Sequence, residues 1–73
     1  MVKIKDLWAA AFVKSKGVKL LGTSREGRSV TFLFEDTARD EILNYQNGAV
    51  ISAILLKSSV DDLKSIIYDV EFI

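Results

Sequence analysis

The chain has no cysteine, no histidine and no proline among its 73 residues. Without cysteine a disulfide framework is impossible, and without histidine as well the commonest zinc ligands are missing. The same two absences remove the ordinary nucleophile–base triads, although a serine–lysine pair stays available. Glycine occurs only at positions 17, 22, 27 and 48, too dispersed for a phosphate-cradling loop. No apolar run approaches the roughly 20 residues of a membrane-spanning helix. The opening MVKIKDLW lacks the long apolar stretch and small-residue cleavage site of a secretory signal. These absences lead to the expectation of a cytoplasmic, non-enzymatic protein with no metal, no cofactor and no membrane contact.

What is present is apolar. Hydrophobic residues make up 49% of the chain, enough to argue against disorder and for a dense core in a single small domain. The formal net charge is zero but its distribution is uneven. Residues 1–34 carry Lys3, Lys5, Lys14, Lys16, Lys19, Arg25 and Arg28 against Asp6 and Glu26, a balance of +5. Residues 35–73 carry Arg39, Lys57 and Lys64 against eight acids, a balance of −5. Such asymmetry marks either a basic nucleic-acid surface or two halves that complement one another.

The spacing predicts a first helix over about Asp6 to Lys16. Leu7, Trp8, Ala11 and Phe12 form one apolar stripe, and Ala9, Ala10 and Ala11 favour helix. Asp6 suits its N-terminal end and Lys14 and Lys16 its C-terminal end. Gly17 is the expected left-handed stop. Two strands follow, about Val18 to Ser24 and Arg28 to Glu35, joined by REG. A two-residue loop at Glu26-Gly27 splits the apolar residues between faces and places glutamate in the left-handed region. A three-residue loop, Arg25 to Gly27, instead pairs Gly22, Leu20 and Val18 with Val30, Phe32 and Phe34, with Gly27 left-handed. The second register is the expectation. It leaves Lys19, Leu21, Thr23, Arg25, Ser29, Thr31, Leu33 and Glu35 outward, with Leu21 and Leu33 as diagonal neighbours.

A second helix is expected over about Thr37 to Gln46, capped by Asp36 or Thr37, with Ala38, Ile42 and Tyr45 inward and Asn47-Gly48 as the stop. Ala49 to Ile51 reads as a short edge strand. Ser52 caps a last helix reaching about Asp69, whose stripe of Leu56, Val60, Leu63, Ile67 and Val70 stays in phase through Ser58-Ser59, so one continuous helix is expected. The fold class is therefore α+β: helix, antiparallel hairpin, helix, short edge strand, long C-terminal helix, with the helices on one sheet face.

Three acid pairs, Glu35-Asp36, Asp40-Glu41 and Asp61-Asp62, read as solvated surface rather than catalytic couples. Neighbouring side chains on a helix do not face one another, and an acid at a strand-to-helix junction usually caps. Trp8, Phe12, Phe32 and Phe34 all fall on inward stripes, which leaves no outward aromatic platform for bases. Two candidate surfaces remain. Leu21 and Leu33 on the outward sheet face are a candidate interface for a second copy or another protein. Lys14, Lys16, Lys19, Arg25 and Arg28 are a candidate nucleic-acid contact.

Taken together, DLWAAAFVKSKG, KLLGTSREGRSVTFLFEDT, YQNG and LKSIIYD resemble a small domain family of unknown function found in bacteria and their phages. The likeness spans nearly the whole chain: the alanine-rich helix closed by Gly17, Leu21-Gly22, Phe34-Glu35-Asp36, Tyr45 with Asn47-Gly48, and Leu63-Lys64 with Ile67-Tyr68. Lys5 departs from the hydroxyl cap usual before the aspartate. The resemblance implies a fold and a bacterial or phage origin, and no activity.

Overall fold

The computed structural model describes residues 1–48 and 51–72, with side chains followed as far as Ile67. It is α+β. Strand β1 spans Val2–Ile4, helix α1 Leu7–Ser15, strand β2 Leu20–Glu26, strand β3 Ser29–Phe34, helix α2 Ala38–Gln46 and helix α3 Ala53–Phe72. The sheet is antiparallel in the order β1-β3-β2, so β3 is central. The first element is thus a strand, not the helix expected. Val2 pairs with Phe34, Lys3 with Leu33 and Ile4 with Phe32. Alternation along MVKIK puts Val2 and Ile4 on one side and the lysines on the other. The edge strand expected at 49–51 falls on residues 49 and 50, outside those described; Ile51 is in no strand.

Helix α1 begins where Asp6 caps it. The Asp6 Oδ1 accepts hydrogen bonds from the backbone N–H of Trp8 at 2.8 Å and of Ala9 at 3.2 Å, satisfying donors that have no partner inside the helix. Replacing Asp6 with alanine should cost about 1 kcal/mol, seen as a melting temperature lower by about 4–8 °C. The helix buries Ala10, Ala11, Phe12 and Val13, so its inward face is rotated from the expected stripe, and Trp8 stays 53% exposed. With Leu7 to Val13 all apolar, the sequence defined no unique stripe. Small alanines fill the inward side because α1 lies between α2 and α3 in the helical layer, where close approach favours them.

The hairpin differs from both registers considered above. Glu26 pairs with Ser29, Arg25 with Val30, Ser24 with Thr31, Thr23 with Phe32 and Gly22 with Leu33. The loop is therefore Gly27-Arg28, and a bulge at Leu21 shifts the ladder so that Leu20 pairs with Phe34. Gly27 has φ +59° and no other residue of the loop has positive φ, the pattern of a II′ turn with glycine at its first central position. The expected left-handed Gly27 is present, in a different turn. A Cβ at Gly27 would meet nothing within 4 Å, so Gly27→Val should act through backbone strain alone. It should cost about 1–2 kcal/mol, and an unchanged melting curve would contradict the turn.

Helix α2 buries Ala38 and half-buries Ile42 and Tyr45. Its N-cap, Thr37, makes no side-chain capping hydrogen bond; the Asp36 carboxylate pairs instead with the Met1 amino group. The cap expected of Asp36 or Thr37 is thus absent. Phe12 packs on Tyr45 at 5.2 Å between ring centroids, tilted by 49°. Helix α3 runs unbroken through Ser58-Ser59 and buries Ser59, Val60 and Leu63. It packs alongside α1, so its stripe meets another helix as well as the sheet. The core joins Ile4, Phe32 and Phe34 of the sheet to Ala10, Ala11 and Val13 of α1, Ala38 of α2, and Val60 and Leu63 of α3.

Candidate functional site

Side chains alternate along each strand, so the register assigns a second sheet face opposite Phe32 and Phe34. Central strand β3 contributes Thr31 and Leu33 there. From β1 comes Lys3, paired with Leu33, and from β2 come Gly22, Ser24 and Glu26, paired with Leu33, Thr31 and Ser29. This assignment corrects the expected outward row on β2. Thr23 and Arg25, thought to face outward, stand opposite Phe32 and Val30 on the core side. The bulge is the cause: it changes the parity of β2 between Leu20 and Gly22.

The outward residues border a single groove of about 500 Å³, lined by Met1, Lys3, Lys5, Ser24, Glu26, Thr31 and Leu33. Its floor is Leu33, half-buried, beside the Thr31 hydroxyl. One rim is cationic, from Lys3 and Lys5 on and just after β1. The other bears Glu26 at the end of β2. Strand spacing puts the two rims roughly 10 Å apart. Leu21, the other half of the expected interface pair, is the bulge residue and is 50% exposed. It does not line the groove, whereas Leu33 does. Alternation of MVKIK was the signal available for Lys3 and Lys5, and it was too short to read as a strand.

The five basic residues singled out from the sequence occupy two places. Lys14, Lys16 and Lys19 surround the end of α1 and the entry to β2, while Arg25 and Arg28 are at the hairpin end. A seven-residue strand, roughly 23 Å long, separates them. Lys14 Nζ is 3.3 Å from Asp62 of α3, so one basic–acidic contact forms within the chain. Lys16 Nζ is 5.3 Å above the centre of the Phe12 ring. Arg25 Nε donates to the Gly27 carbonyl at 3.2 Å. Arg28 lies in the turn itself, reversing the expected placement of the two arginines, and lines a smaller groove with Lys5, Leu7, Val30, Phe32 and Ile67.

The acids are mostly solvated. Asp61 pairs with Lys57 at 3.6 Å one helical turn away, and Asp62 with Lys14. The Met1 ammonium, through a hydrogen bond and its charge, holds the Asp36 carboxyl below its ordinary range, with Arg39 adding to the effect. Glu41 departs from the solvated reading: it is half-buried and its Oε2 has no hydrogen-bond partner. Among the described residues no group of three acidic side chains converges as a metal site, and no helix is long and apolar enough to cross a membrane. No protein-family model, curated protein or solved structure matches this chain.

Proposed function

We propose that this chain is a non-enzymatic interaction module, of bacterial or phage origin as the resemblance implies, that docks protein through the outward face of its sheet. The observation that carries the reading is the groove over Thr31 and Leu33, rimmed by Lys3 and Lys5 on one side and Glu26 on the other. An apolar floor with a charged rim is the anatomy of a protein interface. Docking by adding a strand to the free edge of β2 is less well supported. That edge carries a bulge at Leu21 and the charges of Lys19, Arg25 and Glu26, features that discourage edge pairing.

A photo-reactive amino acid placed at Thr31 of the full chain, in cells producing it, should give a discrete covalent adduct. The same probe at exposed Lys57 of α3 should give none. No adduct at Thr31, or the same adducts from both positions, would overturn the proposal. The nucleic-acid reading has less support, because its five residues divide between the two ends of β2 and Lys14 is engaged by Asp62. It would be restored by a DNA or RNA complex at low salt that weakens as salt rises.

A further inference from the structure

We infer that the occupant of this groove is a second copy of the chain, stacked face to face about a two-fold axis parallel to β3; the inference rests on the docking role proposed above. The argument is the left–right arrangement of charge on the face. Because β3 is central, a two-fold axis along it lays Leu33 over the partner copy's Leu33 and Thr31 over its Thr31. The same operation lays β1 of each copy over β2 of the other. Each cationic rim, Lys3 and Lys5, therefore meets the rim that bears Glu26.

The strand register sets which lysine is closer. Lys3 is level with Gly22, both pairing with Leu33, and Glu26 is level with Ser29. Lys5, two residues beyond Lys3, falls one side-chain step from the level of Glu26, roughly 7 Å along the strand. Its flexible four-carbon stem spans that step. The alternative two-fold, perpendicular to the strands, lays β1 over β1 and opposes lysine with lysine. Charge thus selects one orientation, and a two-fold interface closes on itself as a dimer. Packed sheets sit about 10 Å apart, aligned within about 30°, which leaves room for the two Leu33 side chains to meet across the axis.

The size of the face sets the strength. Strands of three, seven and six residues offer roughly 250 Å² per copy, well below the roughly 800 Å² per partner of a stable complex. The dimer should accordingly be weak and dissociate on dilution.

Sedimentation of the full chain over a concentration series tests this, using Lys5→Glu and Glu26→Lys. Both residues are exposed, so both variants should keep the wild-type melting curve. Each alone opposes like charges at both rim contacts and should raise the dimer Kd at least about tenfold. An equimolar mixture of the two variants restores opposite charges at both contacts, and should return to within about threefold of the wild-type value. A chain that stays monomeric to about 1 mM, or single variants whose mixture does not recover, would overturn the face-to-face pair. A Thr31 adduct with a different protein, seen together with a monomeric chain, would overturn only the second copy as occupant. Absence of any Thr31 adduct, with a monomeric chain, would remove the docking role as well.

Discussion

Replacing Phe34 with alanine should destabilise the chain by about 3–5 kcal/mol, the largest loss expected of a single substitution. Phe34 lies on the central strand, pairs with both Val2 and Leu20, and is fully buried. Truncating a buried phenylalanine costs about 3–5 kcal/mol, from lost burial and from the cavity left behind. A 73-residue domain has about 4–11 kcal/mol in total, so the change removes between about a quarter and all of its stability. The neighbouring Leu33→Ala should behave differently, because Leu33 faces the open groove and is only half-buried. Denaturant unfolding of the two variants reads the difference. Equal losses at 33 and 34 would mean that both sheet faces are covered.

Leu63→Ala is the second large effect expected, about 2–5 kcal/mol. Leu63 is fully buried in the middle of α3, in the cluster that also holds Ala10 and Ala11 of α1. The alanines of α1 cannot expand to fill the space a lost leucine leaves. Relief would require α3 to move towards α1, and the 20-residue length of α3 makes such a local shift costly. The control is Ile54→Ala on the same helix: Ile54 is 81% exposed, and its truncation should fall within about 0.5 kcal/mol of wild type. If Leu63→Ala melted with the wild type, the packing of α3 on α1 would be wrong.

The helices were legible in the sequence because their signals are local and redundant. Asp6 and Gly17 bracket α1, Asn47-Gly48 closes α2, and the phase of Leu56, Val60 and Leu63 carries α3 through two serines that on their own suggest a break. Which side of α1 faces inward was not legible, since seven successive apolar residues satisfy several stripes. That is how Trp8 came to be assigned to the core. Strand β1 was missed because Val2 and Ile4 are too few to establish a period of two. It forms because β3 offers it Phe32, Leu33 and Phe34 as partners, a tertiary cause that no local reading contains.

The hairpin shows a different failure. On sequence alone the three-residue loop is the one that brings Leu20 to the side of Phe32 and Phe34. The chain reaches a similar outcome, with Leu20 beside Phe34, by combining a two-residue turn at Gly27-Arg28 with a bulge at Leu21. The bulge at Leu21 inverts the side-chain parity of every residue between it and the turn, which an uninterrupted ladder does not. Gly22, Thr23, Ser24 and Arg25 stand on the face opposite to the expected one for that reason, and Glu26, expected in the loop, ends the strand. The candidate face was therefore half visible: Thr31 and Leu33 on β3 were assigned correctly. Glu26, Lys3 and Lys5, which give it opposite rims, depended on the bulge and on β1.

The outward sheet face is proposed to bind a second copy of the chain. A concentration series of amide nitrogen–proton spectra tests it residue by residue. Between about 20 μM and about 1 mM, the amide signals that move should belong to the groove: Lys3, Lys5, Ser24, Glu26, Thr31 and Leu33. The exposed apolar positions Ile54 and Leu55 of α3 should stay still. Shifts centred on Ile54 and Leu55 with the sheet unmoved, or no shifts across the whole range, would contradict it.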